Sequence, residues 1–315
     1  MKTTEVAVIG AGPAGMAAAI AAAETGAQTL LLDEQPAVGG HLRWTIGKIT
    51  SINGATHEQR GVALANELRQ HLVDTSVELW TNAVVWGLFE NHVLAVLRDG
   101  IPERIKARAV VVATGTVDHV VPFPGWTTPG VMTARALQIF LHIHRVIPGQ
   151  RFVIVGEGLD AEHVQEAVTL AGGEVVVTLP TADDLRVRGD AGVESVDVGS
   201  ESFAADTVVL ALGRRADPGL ALQSLVSVGY DAATSSYVPL RDTQLQTSVA
   251  GLYVAGEAGG ATTVAEALAE GRLAGLCAAG APTRLVVEAQ TILDRMRGAE
   301  RPAWANYLSL HRAAS

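Results

Sequence analysis

Three glycines begin the stretch of this chain with the most chemistry in it. Gly10, Gly12 and Gly15 make G-x-G-x-x-G directly after the apolar run Val6–Ile9. That spacing suits a dinucleotide. The first glycine permits a tight turn, the second lets a pyrophosphate approach the backbone, and the third lets helix and strand pack closely. Pro13 and Ala14 start the helix whose free N–H groups and positive dipole end face the phosphates. Asp33 stands eighteen residues past Gly15, at the end of the strand Thr29–Leu32. Its carboxylate can accept two hydroxyls of an adenosine ribose. Gly39 and Gly40 add a second glycine turn, followed at once by His41 and Arg43. His41 reads first as a hydrogen-bonding loop residue that shapes cofactor binding, with proton exchange as the alternative. Arg43 is either a phosphate partner or an ordinary surface arginine.

A second strand–turn–helix begins at Arg151 and repeats the first, with Gly156, Gly158 and Ala161 as G-x-G-x-x-A. The chain therefore holds two nucleotide-binding folds in tandem. The copies differ at the ribose. Eighteen residues past Ala161 stands Leu179, followed by Pro180, where the first copy has its acid. Glu157 and Asp160 would repel incoming phosphates. Only about two dozen residues separate this unit from the next apolar strand, too few for another crossover helix and strand, so the second fold is abbreviated.

The remaining reactive residues carry less. His142 and His144, two apart on an expected helix Ala134–Val146, point roughly 200° apart and do not suit one ion. Cys277 is the sole cysteine. It excludes an internal disulfide, a C-x-x-C redox pair and a cluster held by this chain's own thiolates, and it reads as a packed core thiol.

The elements that must position these residues follow from pattern. A helix is expected over Gly61–Leu72. A three-stranded meander is expected over Val77–Val85, His92–Leu97 and Ala107–Ala113. The meander ends in the turn Thr114-Gly115, and a proline-rich connection follows. Val249–Ala255 reads as a strand, Gly256-Glu257 as a turn and Val264–Ala279 as a small-residue helix. An amphipathic helix then leads to a Trp304/Tyr307/Leu308 patch that packs back on its own domain or docks on a neighbour. With 48% hydrophobic residues the chain can build sizeable cores, and a net charge of −10 argues against a nucleic-acid partner. No apolar stretch approaches the ~18 residues of a membrane span, and the start does not read as a secretory signal, so a cytoplasmic protein is expected.

Together, GAGPAG with Asp33 and Gly39-Gly40, the ATG at Ala113–Gly115, ALGRR at Ala211–Arg215 and AGE at Ala255–Glu257 resemble the two-dinucleotide-binding-domain flavoproteins. That class contains glutathione, lipoamide and thioredoxin reductases. The resemblance implies an α/β protein of two Rossmann-like domains, the second inserted in the first. It implies FAD-binding segments at 1–117 and 246–283, a degenerate NAD(P)-binding-like domain at 118–245 and a helical tail at 284–315. It also implies FAD on the first fold, touching Gly10, Gly12, Pro13, Ala14, Gly15, Asp33, Glu34, Gln35, Gly40, His41, Arg43, Ala83, Val84, Ala113, Thr114 and Gly115. From the C-terminal segment come Gly256, Glu257, Val264, Ala265 and Glu266. Glu257 sits where the class usually has Asp.

Leu31–Trp44 and Val121–Gln138 are similar, more narrowly, to the FAD subunit of opine oxidase, hydrogen cyanide synthase and hydroxyproline/proline dehydrogenase complexes. His41 replaces the usual glutamine, and no Cys-rich domain follows the AGE segment. That likeness implies a partner flavoprotein subunit that oxidises an amine or amino acid, together with a small iron–sulfur protein. Two other functions stay open. One is a stand-alone NAD(P)H-dependent reductase of a ferredoxin, quinone or oxygen. The other is a non-catalytic scaffold holding FAD, with ATP or ADP in the second fold.

Overall fold

The computed structural model describes residues 1–49, 59–232 and 234–297. Its chain divides into two compact units, one formed by the two ends of the described chain and one by residues 117–215. The first unit begins with β1 (Lys2–Ile9), α1 (Pro13–Glu24), β2 (Thr29–Leu32), the short pair β3 (Lys48–Ile49) and β4 (Gln59–Arg60), and α2 (Gly61–Val73). Then come β5 (Glu78–Trp80), β6 (Ala83–Phe89), β7 (Val93–Arg98) and β8 (Ile101–Val112), and the chain leaves along β9 (Thr116–Asp118).

The main sheet has the order β5-β2-β1-β8-β7-β6. Parallel pairing holds β5, β2, β1 and β8 together, while β6, β7 and the first half of β8 form an antiparallel meander. The expected strand Val77–Val85 is thus two strands, one parallel and one antiparallel. Asn82, at φ 51°, makes the break between them. Asparagine tolerates that left-handed conformation because its short polar side chain can bond locally.

Successive residues of the central strands enter opposite cores. Val6 and Val8 of β1 face one cluster with α1, while Ala7 and Ile9 face another with the meander. Both faces are covered, which is why these strands read as unbroken apolar runs.

The second unit contains β10 (Val131–Thr133), α3 (Ala134–Ile139), β11 (Arg151–Val155), α4 (Gly158–Leu170), β12 (Glu174–Leu179), β13 (Leu185–Arg188), β14 (Ser195–Val198), β15 (Glu201–Ala204) and β16 (Thr207–Leu210). A parallel sheet β10-β16-β11-β12 packs beside the meander β13-β14-β15. The meander occupies the place of a crossover helix, as the abbreviated spacing leads one to expect. The expected helix Ala134–Val146 is shorter: α3 ends at Ile139, and a π-type turn runs over Phe140–His144.

The chain returns along β17 (Arg214–Ala216). The first unit resumes with α5 (Gly219–Leu222), β18 (Val228–Asp231), β19 (Ser236–Pro239), β20 (Leu252–Val254), α6 (Val264–Ala279) and α7 (Thr283–Arg297). Re-entry at Ala216 corrects the boundary expected at 246. Leu220, Ala221 and Val226 are buried in the meander-side core of the first unit, and that burial assigns the intervening segment to it. β20 pairs parallel with the end of β8. α6 crosses α1 at backbone contact: a Cβ on Gly271 would strike the Ala14 carbonyl, and one on Gly275 the Ala18 carbonyl. The Trp304/Tyr307/Leu308 patch lies outside the described residues.

Candidate cofactor site

The strand ends of the first unit meet at one edge. β1 runs into Gly10, which takes φ 96° and donates its N–H to the Leu32 carbonyl at 2.8 Å. A side chain there would strike the backbone of Ala113, and one on Gly15 would strike the Gly10 carbonyl. These two glycines are required by the fold. Gly12 is not. Its φ is an ordinary −73°, and a Cβ on it would meet only the Gly40 Cα, at 4.0 Å. Nothing within the described protein demands its small size, so the space beside it is available to a ligand. Gly39 donates to the Ala11 carbonyl at 2.8 Å, and a Cβ on Gly40 would lie 2.9 Å from the Gly12 Cα. The two glycine turns therefore face each other as a backbone-lined cradle over the start of α1. Arg43 lays its aliphatic stem against Gly39.

Asp33 directly follows β2 and is buried. Oδ2 accepts from the Ala11 N–H at 2.5 Å and Oδ1 from the Gln35 N–H at 2.7 Å. Burial pushes its carboxyl above the usual carboxylate range, against the pull of those two N–H bonds. Each oxygen keeps a second lone pair for a hydroxyl. Glu34 and Gln35 are exposed beside it. Ala83 is buried and donates its N–H to the Asp33 carbonyl at 2.9 Å, while Val84 is exposed on β6.

Across β1, the end of β8 supplies Ala113, Thr114 and Gly115. The Thr114 hydroxyl donates to the Asp217 carbonyl at 2.7 Å, and Gly115 takes φ 77° with open space where a side chain would stand. β20 leads into Gly256, where φ is 75° and a Cβ would stand 2.7 Å from the Ala14 Cβ. Glu257 follows. Its Oε2 lies 3.2 Å from His41 Nδ1, and the two side chains are 27% and 22% exposed.

The turn after β20 is anchored by a buried ionic network that motif reading did not find. Glu270, fully buried on α6, accepts from the Gly256 N–H at 2.7 Å and pairs with Arg241 at 2.8 and 3.1 Å and with Arg297 of α7. Burial opposes its charge, but Arg241, Arg297 and the Gly256 N–H together hold its carboxyl below the usual range. Arg297 also reaches Glu266 at 3.1 Å.

Glu266 has partners within the chain itself. Its carboxylate bonds the Thr262 N–H at 2.9 Å and Arg297, and its own N–H goes to the Thr263 side chain, so it caps and braces α6. Among the described residues, no hydrogen bond occupies the amides of Val264 and Ala265. These are the N–H groups that α6 presents at its start.

The second glycine turn is built differently. A Cβ on Gly156 would strike the Ala211 carbonyl, and Gly158 stands at φ 68° with open space around it. Glu157, Glu162, Thr178 and Pro180 line a shallow depression of about 240 Å³ there. Glu157, Asp160 and Glu162 are all exposed at the start of α4. Among the described residues no group of three or more His, Cys, Asp or Glu could hold a metal, and none of the described helices is long and apolar enough to cross a membrane. Burial pushes the Cys277 thiol up to about 12, with Asp242 adding to the effect.

The open space at Gly12, the cradle at Gly40 and the lone pairs of Asp33 fit FAD. Gly10–Gly15 and Gly40 would hold the pyrophosphate, Asp33 the ribose, and Thr114–Gly115, Glu257 and the start of α6 the rest of the dinucleotide.

A family model described as pyridine nucleotide-disulphide oxidoreductase matches residues 4–184. One of the subunits of opine oxidase from Agrobacterium tumefaciens (strain Ach5) is 29% identical over 324 residues, covering 86% of this chain and 64% of that protein. The alpha subunit of sarcosine oxidase from Corynebacterium sp. (strain P-1) is 29% identical over 349 residues, covering 96% of this chain and 35% of that one. The chain thus spans roughly a third to two thirds of these curated relatives. L-proline dehydrogenase from P. horikoshii shares the fold at a TM-score of 0.79 and 24% identity, over 92% of this chain and 58% of that chain. Thioredoxin reductase of Lactococcus lactis shares it at 0.66 and 20%, over 90% and 99%.

Proposed function

The chain belongs to the pyridine nucleotide-disulphide oxidoreductase family and is an FAD-dependent oxidoreductase, and from that premise we propose that it is the FAD-binding subunit of a heteromeric amine, imino-acid or opine dehydrogenase or oxidase. A flavin bound in the first fold supplies reversible transfer of an electron pair. The chain's residues hold and orient it. The Gly10–Gly15 turn and the start of α1 meet its phosphates, and Asp33 meets its ribose. The N–H groups of Val264 and Ala265 add a positive helix end on the far side of the turn. The substrate is oxidised on a partner flavoprotein subunit, with a small iron–sulfur protein as a further partner.

One observation supports this reading: the second fold does not repeat the acid that follows β2 in the first. β12 ends in Leu179-Pro180 without a ribose acid, and three exposed carboxylates stand around the glycine turn. The relatives are themselves named as subunits of opine and sarcosine oxidases, which supports placing this chain in a heteromer. The test is to purify the chain alone and assay it on proline, sarcosine and an opine with an artificial acceptor. Yellow protein without turnover is expected. Robust oxidation of any of the three by the isolated chain contradicts the proposal.

A further inference from the structure

His41 and Glu257 are far apart in sequence, yet they meet at 3.2 Å on the cofactor edge of the first unit. Strand order says which part of a dinucleotide they face. Asp33 follows β2 on one side of β1, whereas Glu257 follows β20, beyond β8 on the other. From β2 to β20 is three strand spacings, roughly 14 Å at about 4.8 Å each. A dinucleotide with its pyrophosphate over the β1 turn and its adenosine ribose on Asp33 extends its other half toward Glu257.

Glu257 is anchored at its base, because Gly256 is tied to Glu270 by its N–H and seated against Ala14. His41 is anchored likewise, directly after the Gly39–Gly40 turn and with its carbonyl bonded by Thr45 at 2.9 Å. Its ring also lies 5.5 Å from that of Trp44. The Thr116 hydroxyl makes a long 3.5 Å contact to the same Glu257 oxygen. The half-buried carboxylate is thus gripped through Oε2 at the edge where the cofactor lies.

We infer that His41 is a positioning residue for Glu257, and that the pair acts as one unit that fixes the flavin half of FAD while leaving the adenylate half untouched. The donated imidazole N–H sets the carboxylate rotamer and offsets its charge beside the flavin half. An aspartate at 257 falls about one methylene short of the ring.

The test rests on FAD occupying the first fold and measures binding rather than turnover. FAD and ADP dissociation constants are determined by fluorescence and calorimetry on the flavin-stripped full chain and on His41→Ala, His41→Gln, Glu257→Gln and the His41→Ala/Glu257→Gln double variant. Melting of the stripped chain is recorded for each.

His41→Ala and Glu257→Gln are each expected to weaken FAD about tenfold. The double variant should be no more than twofold weaker than either single, and His41→Gln, which keeps a side-chain N–H donor, should recover part of the loss. ADP affinity and stripped-chain melting should stay unchanged. Losses that multiply in the double variant, or equal losses for ADP and FAD, overturn the pairing. A stripped chain that binds ADP but never FAD defeats the premise on which both this inference and the proposed function rest. Turnover by the isolated chain would defeat the proposed function alone.

Discussion

Gly12 and Gly158 hold the same place in two copies of one motif, and the fold needs only one of them. Gly158 stands at φ 68°, a left-handed conformation that glycine adopts without strain. Gly12 has ordinary backbone angles, and a Cβ on it would make no close contact with the protein. The second turn keeps its glycines for the chain's own geometry, whereas the first keeps one more than its geometry requires. The same contrast recurs around each turn. Asp33 is held by two backbone N–H groups at the end of β2, while β12 ends in Leu179-Pro180. A glycine motif alone is thus a statement about backbone shape, and only the residue without an internal reason for being glycine points to a ligand.

Four changes break or sharpen this contrast. Glu270→Ala should cost the most, about 3–5 kcal/mol, because it strands the Arg241 and Arg297 guanidiniums in the interior. Urea denaturation measures it, and the loss should fall on the first unit. The pH dependence follows from the sign of the shift. The folded Glu270 carboxyl lies below its unfolded value of 4.5, so its stabilisation is present above that pH and drains away as pH falls beneath it. Asp33 acts in the opposite sense, since its raised carboxyl is protonated more readily in the folded chain.

Gly12→Ala comes next. Flavin affinity should drop about a hundredfold, the cost of about 2.7 kcal/mol for a methyl where a phosphate belongs. The stripped protein should melt as before, which scanning calorimetry will register. Asp33→Ala should weaken FAD by roughly ten- to a hundredfold through lost charge-assisted hydrogen bonds. The readout is a fluorescence titration. Gly158→Ala is the smallest and the mirror of Gly12→Ala: it should destabilise the second unit by about 1–2 kcal/mol through left-handed strain and leave bound flavin unchanged.

Much of the first fold was legible because its signals are local. The glycine turn, the acid at the end of β2 and the full span of α6 each lie within a short window of sequence. The break at Asn82 was not legible, because alternation continues through it and only the backbone angle shows that one apolar run is two strands. Nor was the early return at Ala216, since Leu220 and Val226 read as apolar without naming the core they join. The ionic network and the His41–Glu257 pair were hidden for one common reason. Each joins polar residues distant in sequence, and a lone Arg241 or Glu270 in a sequence looks like any solvated charge. The capping part of Glu266 was not read either, because a carboxylate at the third position of a helix caps that helix as readily as it meets a ligand.

Anaerobic mixing of the purified yellow chain with excess NADH or NADPH in a stopped-flow spectrometer tests the central contrast most directly. The account predicts that the flavin absorbance stays at its oxidised level on the catalytic timescale, since the second fold offers the nicotinamide cofactor neither a ribose acid nor a neutral turn. Rapid bleaching by either nucleotide would contradict it.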